Sequence, residues 1–363
     1  MGETLRVGLI GLSGISAKPA LDGDRVGWGT RMPNSHASAY AYVEDTEVVA
    51  VCDIVQPAID SFVEDWKTKW PRVETYTDYR EMLGGADLDI VSVVTGDDFH
   101  AQLVVDAAEA GAKGIICEKP IASTLADADR MIAAVEKAGI PMLVDHTRRW
   151  MIPWGQAAEA IKQGVIGDVV RVVANEGGPR AMLFRNGTHL IDSMVWYAGG
   201  NPTAIYGLTE ERFPDYGPRY AGDGGHDPDT DPAVSALVEF DNGVRAFINL
   251  CKATPSFTFE VDVYGTEGRM VVTEDDVRIT REDSGVPTGA QHSLGYATAH
   301  LPRDHYTHGA IAGCVREMVQ LVRHGGQPTS DGREARKTLE IMLGILQSQA
   351  RGGVRVECPI VDA

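Results

Sequence analysis

Leu5-Arg6-Val7-Gly8-Leu9-Ile10 runs straight into Gly11-Leu12-Ser13-Gly14-Ile15-Ser16, and the reading of this stretch decides the fold of the first half of the chain. A short apolar run that stops at glycine has the length and composition of a buried strand. A glycine-rich turn that follows such a strand and opens a helix lets backbone N–H groups come close to a pyrophosphate. Here the turn reads G-x-S-x-x-S where the dinucleotide fingerprint has G-x-G-x-x-G, so only Gly11 keeps its place and Gly14 is extra. Alone, the turn does not separate a phosphate site from an ordinary strand-to-helix connection. Gly11, Ser13, Gly14 and Ile15 are its candidate cofactor contacts.

Outward from this turn, further Val/Ile-rich runs occur at 47–52, 88–94, 114–117 and 141–144. They are continuous rather than alternating, as parallel strands covered on both faces are. Helix-period stretches lie between them, among them His100 to Ala110 and Leu125 to Ala138, which stop at Gly111 and Gly139. Alternating strand and helix to about residue 147 predicts a doubly wound parallel sheet, an α/β Rossmann domain over 1–147. Beyond it, alternating runs at 169–174, 204–208, 233–240, 245–250, 257–264 and 270–272 are punctuated by Asp241-Asn242-Gly243 and Gly265-Thr266-Glu267-Gly268. Two helical stretches follow, near 307–323 and 333–349. Residues 148–363 are therefore expected to form an α+β domain with a large, mostly antiparallel open sheet, its last segment returning to the first domain.

Asp53 closes the second run, where a carboxylate accepts hydrogen bonds from ribose hydroxyls and repels a 2′-phosphate. It lies farther from Gly11 than usual because a Pro/Gly-rich interruption, Ala17 to Ser35, is inserted; without it the spacing is normal. Ile54 follows with no adjacent Arg or Lys, which favours NAD over NADP. The interruption is expected to be a lid or binding loop, with Trp28 and Arg31 as its sugar-contacting residues.

The 363 residues carry a net charge of -19 and no Lys/Arg run, which argues against nucleic acid and anionic membrane as partners. Five scattered cysteines without a C-x-x-C read as reduced, space-filling residues. No secretory leader pattern and no apolar stretch of about 18 residues occurs, so a cytoplasmic location is expected.

Thr95-Gly96-Asp97-Asp98-Phe99-His100, Ala110-Gly111 and Cys117-Glu118-Lys119-Pro120 then follow in order, each at a strand end. With Arg149-Trp150, residues 164–168, Gly187-Thr188-His189-Leu190-Ile191-Asp192, residues 265–268 and the closing 348–359, this ordered set covers nearly the whole chain. It resembles the glucose–fructose oxidoreductase / inositol dehydrogenase / rhizopine catabolism (Gfo/Idh/MocA) family, whose hallmark is Glu-Lys-Pro. The resemblance implies a Rossmann domain and a mostly antiparallel second domain, homo-oligomers (dimer or tetramer) built through the open sheet face, and a carbohydrate substrate. It also implies an active site between the domains, with nicotinamide facing Lys119. Thr95, Gly96, Asp97, His100, Glu118, Lys119 and Trp150 join the cofactor-binding candidates.

Oxidising a secondary alcohol needs a hydride acceptor, a base for the hydroxyl proton and positive charge near the developing alkoxide. Lys119, partly desolvated beside a cationic nicotinamide, gives up its proton more readily than a free lysine and is read as catalytic and substrate-binding. Glu118 orients it or is structural. His189 is the candidate general base, with a binding or structural histidine as the alternative. The family often has Asp four residues before this histidine; here that position is Arg185. His189 then depends on another orienting group, for which Asp192 on the same helical face is available. Arg185 is read as gripping an anionic or polar substrate group, or as a surface arginine. Arg149 and Trp150 face nicotinamide or sugar, or pack between domains.

No metal is expected. His305 and His308 lack a carboxylate partner nearby in sequence, and the 226–231 segment, rich in Asp, reads as a solvated acidic loop. The leading expectation is an NAD-dependent sugar or cyclitol dehydrogenase. An NAD-recycling glycoside hydrolase, working by transient oxidation and elimination, is the alternative. A non-catalytic sensor of dinucleotide or sugar is the third reading.

Overall fold

The computed structural model describes residues 3–20, 33–210, 231–254, 258–282, 296–301 and 310–360. Trp28, Arg31, His305, His308 and residues 226–230 of the acidic segment lie outside the described residues. In chain order the elements begin β1 (Leu5–Ile10), α1 (His36–Tyr42), β2 (Thr46–Cys52), α2 (Gln56–Trp66), β3 (Glu74–Tyr76), α3 (Tyr79–Gly85) and β4 (Ile90–Val93). Next come α4 (His100–Glu109), β5 (Gly114–Cys117), α5 (Leu125–Ala138), β6 (Met142–Val144), α6 (Ile152–Lys162), β7 (Val169–Gly177) and α7 (Thr188–Ala198). The chain continues through β8 (Pro202–Thr209), β9 (Val234–Phe240), β10 (Arg245–Cys251), β11 (Thr258–Gly265), β12 (Gly268–Thr273), β13 (Val277–Glu282) and β14 (Tyr296–His300). It closes with α8 (Ala310–His324), α9 (Gly332–Ala350) and β15 (Val356–Glu357).

Two compact units emerge. One comprises Met1–Trp150 with His308–Arg336, the other Met151–Thr307 with Lys337–Ala363.

The first unit is built on a six-stranded sheet in the order β3-β2-β1-β4-β5-β6, parallel throughout. Strands β1, β4 and β5 are almost entirely buried, which explains their unbroken apolar sequences. Helix α5 shows why its segment is helical. Thr124 caps it by accepting from Asp127 N, Gly139 ends it at φ +68°, and Leu125, Ala128, Met131, Ile132 and Val135 form its buried stripe. Each fully buried large side chain in such a stripe contributes about 1.5–3 kcal/mol. Helix α8 packs against α1 and crosses β5 so closely that a Cβ on Gly114 would lie 2.4 Å from Met318 Sδ. The short strand β3 has no apolar run, being a mostly exposed sheet edge, and the sequence pattern does not betray it.

The second unit holds a nine-stranded sheet, β14-β13-β12-β11-β7-β10-β9-β8-β15. Its pairings are antiparallel except β7 with β10. Strands β9 and β10 alternate buried and more exposed residues, the mark of a sheet covered on one face. Helices α6 and α7 cover that face, with Trp154 buried against Tyr197 and edge-on to Phe259. Within the same unit α9 lies on β8, where Gly207 and Gly344 leave room for Ile345 and Ile205.

Candidate active site

Parallel register brings the chemistry of the first unit into one row. Ile10 pairs with both Cys52 and Val93, Val93 with Cys117, and Cys117 with Val144. The next residues, Gly11, Asp53, Val94, Glu118 and Asp145, therefore stand side by side at the carboxyl edge. The strand order reverses between β1 and β4, which is where doubly wound sheets bind ligands.

Gly11 donates to Cys52 O at 2.8 Å and has φ +90°. A Cβ there would sit 2.2 Å from Val94 O, so no other residue fits. Between the turn and its helix lies the interruption that the sequence places at Ala17 to Ser35. The turn makes one loop, leaves at Ala17, and helix α1 begins only at His36. The excursion is stitched shut: His36 N donates to Ile15 O at 3.0 Å and Ala37 N to Ser16 O at 2.8 Å, as if the helix had never been interrupted. Trp66 Nε1 pins the start of the excursion by donating to Ala17 O at 2.8 Å, and Ser35 caps α1.

Ser13, Gly14 and Ile15 are exposed, and their N–H groups have no partner among the described residues. Asp53 braces the turn by accepting from Leu12 N at 2.8 Å and Val55 N at 2.9 Å, one bond to each oxygen. A carboxylate offers about four lone-pair sites, so capacity for ribose hydroxyls remains. Ile54 beside it is 88% exposed, an apolar surface with no cation of its own. The N–H groups of Ser13, Gly14 and Ile15, following a glycine that admits no Cβ, an acidic residue at the end of β2 and the strand-order switch on the β4 side of β1 fit NAD.

After β4, Thr95 is half-buried, Gly96 exposed and Asp97 buried. His100 is fully buried, with Nδ1 3.0 Å from Pro120 O and Nε2 3.2 Å from Thr95 O. It ties the β4 loop to the loop after β5 and offers no ring face to a coenzyme. Glu118 is buried, Lys119 half-buried, and Glu118 Oε2 accepts from Lys119 N at 3.1 Å.

Two residues unremarked in the sequence complete this corner. His36 Nε2 lies 3.2 Å from Glu118 Oε1 and 3.6 Å from Asp145 Oδ2. Burial opposes charging His36, but the bond to Glu118 and the charges of Asp145 and Glu118 outweigh it and raise its pKa. Burial likewise pushes Glu118 up, yet the bond and charge of His36, with Lys119, hold it below the usual carboxylate range. Asp145 has no such bond; burial and the Glu118 charge push it up to about 7. The available signals were a histidine opening α1 and an aspartate directly after β6.

Arg149 and Trp150 have internal partners in the same unit. The Arg149 guanidinium is buried, donating to Thr329 O at 2.7 Å and lying 3.7 Å from Glu334. The Trp150 indole donates to Glu317 at 2.5 Å and lies over Gly313.

In the second unit, Arg185 stands half-buried on a wide turn, Leu183–Gly187, in which Gly187 N reaches back to Met182 O. His189 and Asp192 follow on α7, both buried. The solvated acidic loop expected at 226–231 is corrected at its end: Asp231 is fully buried, accepting from Phe184 N and Arg185 N at 3.1 and 3.0 Å. The backbone N–H groups of Phe184 and Arg185 on the wide turn both take that buried carboxylate as their acceptor.

No helix among the described residues is long and apolar enough to cross a membrane. A profile described as "Oxidoreductase family, NAD-binding Rossmann fold" matches residues 25–146, and the GFO/IDH/MocA C-terminal domain matches 154–271, together more than half of the chain. The D-apiose dehydrogenase of Paraburkholderia graminis is 26% identical over 91% of this chain and 88% of its own. The myo-inositol 2-dehydrogenase of Thermotoga maritima is 25% identical over 92% and 93%. In fold, an aldose-aldose oxidoreductase from Caulobacter crescentus solved with glycerol superposes with a TM-score of 0.75 at 19% identity, covering 98% of this chain and all (100%) of that one. The chain belongs to the Gfo/Idh/MocA family of NAD-binding Rossmann-fold oxidoreductases.

Proposed function

We propose that this protein oxidises a ring hydroxyl of a sugar, glycoside or cyclitol, with the hydride passing to NAD. The observation that carries the reading is the row of strand ends: the phosphate turn at Gly11, Asp53 and the Glu118–Lys119 pair share one edge of one sheet. The dehydrogenase relatives, which act on apiose and myo-inositol by name, support the substrate class. Ser13, Gly14 and Ile15 hold the pyrophosphate through backbone N–H groups, and Asp53 holds the ribose. When bound, the nicotinamide supplies the hydride-accepting carbon.

The chain itself supplies the proton chemistry. Lys119 Nζ donates a hydrogen bond to the reacting oxygen and stabilises the negative charge that develops there. His189 takes the hydroxyl proton. Arg185 grips a polar or anionic group of the substrate, its backbone held by Asp231. His100 and Glu118 fix the loops from which Lys119 projects. The enzyme works in the cytoplasm as a homo-oligomer.

Mixing the protein with NAD and a panel of aldoses, cyclitols and nitrophenyl glycosides, and following absorbance at 340 nm, tests the reading. NADH formation with at least one sugar or cyclitol is expected; none across the panel overturns it. The relatives' names favour net oxidation over cleavage with coenzyme recycling, and nitrophenol release without NADH would reverse that preference.

A further inference from the structure

Behind Lys119 the first unit buries a polar cluster that coenzyme binding does not require. His36, Glu118 and Asp145 come from the first turn of α1 and the ends of β5 and β6. One ligand-type atom from each lies within 4.8 Å of the others, and all three residues are buried. Both Asp145 oxygens and His36 Nδ1 are enclosed without a hydrogen-bond partner among the described residues. A buried carboxylate in that condition is costly as an anion and far less costly as a neutral acid. A protonated His36 balances an ionised Glu118, and a second carboxylate charge finds no third partner inside the cluster.

Among the described residues, the neighbouring tyrosine and cysteines do not supply one. Tyr40 on α1, its hydroxyl 2.7 Å from Ser92 Oγ, and Cys314 on α8 both have pKa values raised by burial, as has Cys117 on β5, so all three stay neutral. Asp97 and Glu317 act on Cys117 and Cys314 as further negative charges. Lys119 is the cation that, with His36, acts on both Glu118 and Asp145.

We propose that His36, Glu118 and Asp145 form a buried proton store behind Lys119, with Asp145 the member that takes up and releases the proton and thereby sets the charge under which Lys119 works. The inference rests on Lys119 being the cationic hydrogen-bond donor to the reacting oxygen in the proposed reaction. His36 and Asp145 are positioning residues that act through it. One O–H bond on Asp145 is made or broken, and nothing is oxidised. An ionised Asp145 favours the lysine ammonium; a protonated one lets Lys119 release its proton more readily.

Infrared spectroscopy of the full-length protein tests the store. A protonated-carboxyl band present at about pH 6 and lost by about pH 8, shifted by ¹³C-aspartate labelling and missing from Asp145→Asn, is expected. Absence of such a band overturns the proposal, and the isotope shift in the parent decides it even where the variant does not fold. Competitive acetylation across pH, read at Lys119 by peptide mass spectrometry, tests the coupling without any substrate. Asp145→Asn lowers the Lys119 labelling midpoint by about half a pH unit or more, and Asp145→Glu restores it. A midpoint unmoved in an Asp145→Asn protein that still binds NADH overturns the coupling alone. Full turnover by Lys119→Ala would instead remove the reading on which the inference stands.

Discussion

In the parallel sheet, Gly11, Asp53, Glu118 and Asp145 are each the first residue beyond a strand, whereas beside the antiparallel sheet Arg185 and His189 stand on a wide turn and a covering helix. Parallel strands all finish at the same edge, so in-register pairing gathers residues that are far apart in sequence, as with Leu12 and Asp53, hydrogen-bonded across 41 positions. Neighbouring antiparallel strands finish at opposite edges and gather nothing. Chemistry there depends on how a helix lies on the sheet, which strand register does not dictate. The first arrangement makes positions rigid through backbone bonds: Gly11 N to Cys52 O, Glu118 N to Val93 O, Asp145 N to Cys117 O. The second fixes its residues through the wide turn and the covering helix, where Arg185 stands four residues before His189.

That contrast predicts unequal costs. Lys119→Ala is expected to lower kcat/KM by about 1,000-fold or more, and His189→Asn by about 100-fold, since a base on a covering helix is more easily replaced by water. Steady-state kinetics on a substrate found by the panel checks this; equal losses would break the distinction. Gly11→Ala is expected to weaken NADH binding by about 100-fold, or about 2.7 kcal/mol, because the new methyl would meet Val94 O at 2.2 Å. Fluorescence titration with NADH measures it, and unchanged affinity would mean that the turn tolerates far more movement than its hydrogen bonds imply.

The smallest expected effect sharpens the comparison within the first unit. Asp145 ordinarily ionises near 3.8 and in the folded chain near 7. The folded state therefore binds the extra proton between those values. Its contribution to stability is complete below about 3.8 and is lost as pH rises through 7. Asparagine does not titrate, so the Tm of Asp145→Asn relative to the parent is more favourable at about pH 8 than at about pH 5, by a few degrees. A calorimetric difference that is flat with pH would place the ionised carboxylate in a far wetter setting than its burial indicates.

Much of the site was legible because it consists of glycine, acid and lysine at strand ends, and strand ends are visible wherever an apolar run stops. The split between the phosphate turn and its helix was legible only as a spacing anomaly at Asp53. Arg149 and Trp150 read as site residues because they follow the last parallel strand, yet their polar atoms reach Thr329, Glu334 and Glu317, partners far off in sequence. Asp231 read as solvated because its neighbours are acidic, and it is buried because a turn built around residues 183–187 needed an acceptor.

Hydrophobic periodicity, glycine placement and turn residues by themselves determined the two sheet types, five of the six parallel strands and the nucleotide end of the first unit, because each depends on neighbours a few positions away. Only the tertiary structure decided that His36 and Asp145 flank Glu118, that His100 clasps two loops and that Arg149 is spent internally. Those outcomes depend on which strand ends align and which helix crosses them, and a buried charge takes its character from groups that folding alone brings near.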